Sequence, residues 1–142
     1  MTQQKVRVAI AILYQNDKYL MQLRDNIPNI AHPGCWGLFG GHIEHNEEEE
    51  IALQREILEE TGYQLPSFAK FGDYDSNNVI HHVYQAPLLV EIDQLVLGEG
   101  WDMGLLTSAD IRRGNCYSAI AGEARPIGDI HHIIMLDFIN QK

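Results

Sequence analysis

Between Glu44 and Glu60 lie eight glutamates, Glu44, Glu47, Glu48, Glu49, Glu50, Glu56, Glu59 and Glu60, with Arg55 as the only Lys or Arg among them. At about 100° per residue, the i, i+3, i+4 spacing of Glu56, Glu59 and Glu60 puts three carboxylates within an arc of roughly 100° on a helix. Like charges about 5 Å apart repel by on the order of 1 to 3 kcal/mol per pair, depending on the local dielectric. Arg55 stands i,i+4 from Glu59 and restrains one carboxylate, but one guanidinium does not neutralise the cluster. A hard divalent cation does, because it takes carboxylate oxygens, backbone carbonyls and water as ligands. The helix alone also allows a plain solvated acidic face. The apolar pairs Leu53/Ile57 and Ile51/Leu58 fall on opposite sides of the acidic arc, which predicts a helix gripped on two sides with its acids in a cleft.

The elements that position these acids follow from pattern and punctuation. Val6 to Leu13 is dense in β-branched and aliphatic residues, Asn16 and Asp17 supply a turn, and Tyr19 to Leu23 completes a β-hairpin. Asp25 to Gly34 reads as a loop, and Trp36 to Phe39 as a short strand feeding the turn at Gly40 and Gly41. Asn46 as N-cap with Glu49 as capping-box partner, and Gly62 as terminator, predict a helix from about Glu47 to Thr61. Strands are expected over Phe68 to Tyr74 and Val79 to Val90, separated by the turn DSNN at 75 to 78, with a short one at Leu95 to Leu97. Ser108 to Arg113 forms a short helix, and Pro126 opens a closing helix with apolar residues at 130, 133, 134 and 138. The order predicts an α+β fold, a mixed β-sheet covered by helices on both faces, as one domain over residues 1–142.

The segment GHIEHNEEEEIALQREILEETGY, residues 41 to 63, resembles the signature box of the Nudix hydrolase superfamily, Gx5Ex7REUxEExGU with U aliphatic. Gly41, Glu47, Arg55, Glu56, Ile57, Glu59, Glu60 and Gly62 match; Tyr63 departs at the last aliphatic position, and Phe39 stands where many members have proline. The length is similar to the MutT-like branch. The resemblance implies an α/β/α sandwich and hydrolysis of a nucleoside diphosphate linked to another moiety, foremost a nucleoside triphosphate to monophosphate and pyrophosphate. It further implies Mg2+, with Mn2+ able to replace it, on Glu59, Glu60 and the carbonyl of Gly41. Glu56 would hold a metal-bound water or assist as base, Arg55 would orient the acids, and Glu47 would tie loop to helix. Cations bridging a diphosphate neutralise transition-state charge and lower the pKa of the attacking water. A non-catalytic nucleotide-binding regulatory module of the same fold is the second reading, disfavoured by the intact glutamates.

Outside the box, Glu99 sits in the Gly-flanked loop LGEGWDMG, residues 97 to 104, and is a candidate further metal ligand, similar to a Glu-Gly loop in MutT-like members; Glu91 and Glu123 are alternatives. Arg24 suits a substrate phosphate or an ordinary ion pair. Trp36, Phe39, Tyr74, Tyr84 and Trp101 include candidates to stack on a base, Trp36 and Phe39 first, although aromatics also build cores. Asp73, Asp75 and Asn77 imitate a calcium loop, but Asn78 replaces its glycine and Tyr84 its closing glutamate. The pairs His81/His82 and His131/His132 lack zinc-ligand spacing. The formal charge of -10 has the wrong sign for coating a phosphate backbone, so no nucleic-acid partner is expected. Cys35 and Cys116 read as reduced thiols. The opening MTQQKVRVAIAILYQ lacks a secretory pattern and no apolar run spans a membrane, which predicts a cytoplasmic protein; its partner is a small-molecule nucleotide, and a homodimer is compatible with the sequence.

Overall fold

The computed structural model describes residues 5–141; residues 1–4 and 142, included in the expected domain, lie outside the described part. Strand β1 (Val6–Gln15) turns through Asn16 and Asp17, whose φ of 50° and 61° suit a tight hairpin, into β2 (Lys18–Leu23). The two pair only over Leu13↔Leu20, Tyr14↔Tyr19 and Gln15↔Lys18 and then diverge. Into the gap comes the segment after the loop: β3 (Trp36–Gly37) pairs with β2, and β4 (Phe39–His42) pairs antiparallel with β1. Helix α1 (Glu49–Thr61) leads to β5 (Ala69–Ser76) and β6 (Val79–Pro87), and β6 runs parallel to β1 on its other side. Strand β7 (Asp102–Thr107) pairs antiparallel with β2, so one sheet of seven strands holds parallel and antiparallel neighbours.

Because β1 is paired along both edges and covered on both faces, it is nearly continuous in apolar residues. Its alternation divides the core: Ala9, Ala11 and Leu13 face α1, against Leu53 and Ile57, whereas Ile10 and Ile12 face α2 (Ser108–Arg113) and α3 (Asp129–Asn140) through Ile111, Ile134 and Phe138. The mixed sheet between helices is the expected sandwich. Helix α2 begins at the expected residue, with a reciprocal capping box between Thr107 and Asp110.

Several local expectations are corrected. Asn46 has φ +67° and is not an N-cap, which needs extended backbone; Glu48 holds that position without a side-chain cap, and Glu49 turns to Lys70 and Tyr84 instead. Helix α1 is gripped on one side only, because Ile51 and Leu58 are exposed while Leu53 and Ile57 are buried. Leu95 to Leu97 forms no strand: a 3-10 turn at Ile92–Gln94 precedes a stretch tied to the end of α1 by Val96 N–H to the Thr61 carbonyl. Strand β7 escaped the sequence pattern because Asp102 and Gly104 interrupt it. Pro126 ends β9 (Glu123–Pro126), which pairs with β8 (Asn115–Ser118) in a separate two-stranded hairpin where an edge proline costs no ladder bond, and α3 starts at Asp129 with Ile133 exposed.

Candidate active site

The diverging β1–β2 hairpin and the inserted Trp36–His42 segment leave a cleft of about 800 Å³, lined at one end by Gly40, Gly41, Glu56, Glu60, Glu99 and Arg24. Glycine is required in its floor. Gly40 has φ +144°, and a Cβ on it would lie 2.1 Å from the Ala9 carbonyl oxygen. A Cβ on Gly41 would lie 2.4 Å from the carboxylate carbon of Glu56, so the β4 backbone approaches the α1 acids more closely than any side chain permits. Gly40 N–H also donates to Glu60 Oε1 at 2.8 Å.

Glu60 is a half-buried acid of the group. Burial is the largest influence on its carboxyl, the Gly40 amide opposes it, Glu56 and Glu99 add repulsion, Arg24 offsets part of that, and the result is a group pushed up to about 7. Glu99 thus faces Glu60 from outside the helix. Its loop is pinned on both sides, by Gly98 N–H to the Glu60 carbonyl at 2.9 Å and by Trp101 N–H to the Leu23 carbonyl at 2.8 Å. Glu59 is not in the lining; its side chain is 61% exposed at the rim, 3.5 Å from Arg55.

Arg55 is the clamp. It donates from Nε and Nη2 to the two oxygens of Glu47 at 2.9 and 3.0 Å, from Nη1 to Glu56 at 2.9 Å and from Nη2 to the His42 carbonyl at 3.1 Å. The Arg55 hydrogen bonds, with a smaller contribution from the Glu44 amide, hold Glu47 down at about 2, and Glu47 in turn raises Arg55 further. Glu47 also accepts from Glu44 N–H at 2.9 Å, so the acid closes the loop before the helix while its other bonds fix Arg55.

Trp36 and Phe39 do not reach the cleft. Trp36 is 2% exposed with Nε1 donating to the Cys116 carbonyl, and Phe39 is fully buried beneath α1, which corrects their expected place against substrate. Tyr74, Tyr84 and Trp101 are likewise outside the lining. Arg24 lines it, and its Nε is, among the described residues, the one buried side-chain nitrogen or oxygen without a hydrogen-bond partner. Such a group calls for a ligand or water. His32, His81, His131 and Asp129 also line the cleft, a role the sequence did not suggest for them. The alternation of His81 with His82 was the available signal, since strand neighbours face opposite ways.

A second cluster, Glu49, Asp73 and His82, brings ligand-type atoms within 4.8 Å of one another. Lys70 Nζ already lies 2.6 Å from Glu49, 2.8 Å from Asp73 and 3.4 Å from His82 Nδ1, so an ammonium fills the place of a cation there. In the cleft, Arg55 holds one oxygen of Glu56 and Arg24 lies near Glu60, and the oxygen donors there, three carboxylates beside a glycine backbone, suit a hard divalent ion.

The NUDIX domain model matches residues 4–102, most of the chain, and the chain belongs to that family. It is 44% identical over 61 residues to a nucleoside triphosphatase NudI of Salmonella agona, covering 42% of each chain. It is 33% identical over 89 residues to a putative 8-oxo-dGTP diphosphatase of Bacillus subtilis, covering 63% of this chain and 49% of that one. The match therefore spans less than half the length of these curated relatives. Among solved structures, a MutT from a study of Aliivibrio salmonicida and Vibrio cholerae has a TM-score of 0.75 at 18% identity, covering 98% of this chain and 100% of that one, a likeness of fold. No helix among the described residues is long and apolar enough to cross a membrane.

Proposed function

We propose that this protein is a Mg2+-dependent pyrophosphohydrolase, with Mn2+ as a substitute, acting on nucleoside diphosphates linked to another moiety. Its foremost reaction is conversion of a nucleoside triphosphate to the monophosphate and pyrophosphate. The observation that carries this reading is the gathering of Glu56, Glu60 and Glu99, together with Arg24, in the lining of one cleft. The names of the curated relatives, a nucleoside triphosphatase and a diphosphatase, support the same substrate class.

Glu56, Glu59, Glu60, Glu99 and the Gly41 carbonyl are the residues that would hold the metal, Glu59 from the rim. When bound, a divalent cation neutralises diphosphate charge and lowers the pKa of water. The chain's own residues do the rest. Arg55, fixed by Glu47, holds Glu56 in place, and the Gly40 amide holds one oxygen of Glu60. Arg24, whose Nε has no hydrogen-bond partner, offers its guanidinium to a phosphate oxygen, for which a charge-assisted bond is strong. Held in this way, the substrate phosphorus meets a water in line with the leaving pyrophosphate. Product analysis across a panel of nucleotides tests the reading: monophosphate and pyrophosphate in equal amounts are expected from triphosphates. Diphosphate and orthophosphate, or no product with any phosphoanhydride, would overturn it.

A further inference from the structure

His32, His81 and His131 line the same cleft, coming from the 25–34 loop, β6 and α3. Their rings meet edge to face, with centroids 5.6 Å apart for His32 and His131 and 6.1 Å for His81 and His131. The backbone sets two of the tautomers. Leu38 N–H donates to His131 Nδ1 at 3.1 Å, so that nitrogen is bare and the proton of the neutral ring sits on Nε2. His81 Nδ1 lies 3.3 Å from the Tyr74 carbonyl oxygen, which only accepts, so Nδ1 carries the proton and Nε2 is bare. Burial, as the largest influence, lowers both rings' affinity for a second proton, with His131 pushed down to about 3. One wall therefore presents a ring N–H donor and the other a ring nitrogen acceptor, both without charge.

Resting on the nucleotide reading above, we propose that His81 and His131 select the nucleobase, His131 Nε2–H donating to an acceptor of the ring and His81 Nε2 accepting from a base N–H. Neutral rings offer no counter-charge to phosphate, which Arg24 and a cation held by the carboxylates would supply instead. Ile10, Leu38 and Ile130 also line the cleft and suit the faces of a flat heterocycle.

The test compares KM for nucleoside triphosphates with KM for methyl triphosphate, which has no base. His81→Phe and His131→Phe keep an aromatic ring and remove the hydrogen bond. Each is expected to raise KM for the preferred nucleoside triphosphate about 10-fold and to leave KM for methyl triphosphate unchanged. Because His131→Phe also strands the Leu38 amide, the unaltered enzyme is assayed in parallel with deaza and N-methyl base analogues, which should show the same loss. Equal changes for both substrates, or nucleotide KM values indifferent to variant and analogue alike, overturn the proposal. Wild-type protein that turns over methyl triphosphate but no nucleoside triphosphate overturns the nucleotide reading beneath it.

Discussion

Glu60 is the residue on which geometry and charge converge most. Its carboxyl, raised from the ordinary value of 4.5 to about 7, binds a proton in the folded state that the unfolded chain has already released. Stability from this group is therefore present at low pH and lost as pH rises through that window. In metal-stripped protein at pH 8, Glu60→Gln removes the half-buried charge and should stabilise the fold by on the order of 2 kcal/mol, or about 5 °C in melting temperature, while turnover measured after Mg2+ is restored falls at least about 100-fold. Thermal melts and rate assays of the same preparation check both; an unchanged or lower melting point would mean that Arg24 and the Gly40 amide already balance the charge. Gly41→Ala acts on the neighbouring acid. Its Cβ would meet the Glu56 carboxylate, a movable side-chain end, so the expected outcome is a folded protein whose Mg2+ affinity, read by calorimetry, is weaker by about 10-fold or more. The shared face of Glu56, Glu59 and Glu60 was legible from spacing, and their chemistry and that of Gly41 from the resemblance to the family box. The division of labour was not, because spacing on a helix does not show that Glu59 points to the rim or that Arg55 prefers Glu47 to Glu59.

At the scale of elements, the central hairpin, α1, the β5–β6 pair and α2 were readable because local signals agree there: alternation, paired left-handed turn residues and a glycine terminator. What escaped is held by tertiary contacts. Strand β7 has a polar residue and a glycine in six positions and is a strand because β2 offers it a ladder from Lys18↔Thr107 to Leu23↔Asp102. The β8–β9 hairpin presents an exposed Tyr117 and a proline, and Trp36 is buried partly by the Cys116 carbonyl that this hairpin supplies. Helix α3 reaches across the cleft to cap the Leu38 amide with His131, a contact between residues 93 apart that no local pattern encodes. That ring is held neutral at about 3 against 6.5 in the open chain, so the unfolded state takes up the extra proton first. Stability from His131 is present above pH 6.5 and lost as pH falls toward 3, with a limiting slope on the order of 1.4 kcal/mol per pH unit. His131→Phe should lower stability at neutral pH and flatten the acid limb of the profile. Denaturant titrations between pH 4 and pH 8 measure the slope, and a limb as steep as that of the wild type would remove His131 as its source.

For the whole molecule, the proposed function has a chain of net charge -10 direct its acids at an anionic substrate, so its activity and its stability should both depend on cations. The sheet supplies the means: β1 anchors both layers, the divergence of β2 opens the cleft, and the loop before β7 closes the acidic end with Glu99. Ligand binding to the folded state alone adds about 2.7 kcal/mol at 100 times the dissociation constant, so Mg2+ should raise the melting temperature of the wild type and much less that of Glu60→Gln. The central claim, that Glu56, Glu60 and Glu99 form a divalent-metal site for splitting a phosphoric anhydride, is tested most directly by pyrophosphate release from a nucleoside triphosphate as Mg2+ is titrated into metal-stripped protein. Wild-type protein should be silent in excess chelator and gain activity saturably, Glu60→Gln should stay near background throughout, and Glu99→Gln should need more metal or reach a lower rate. Full turnover in chelator, or a Glu60→Gln curve that overlies the wild type, would contradict it.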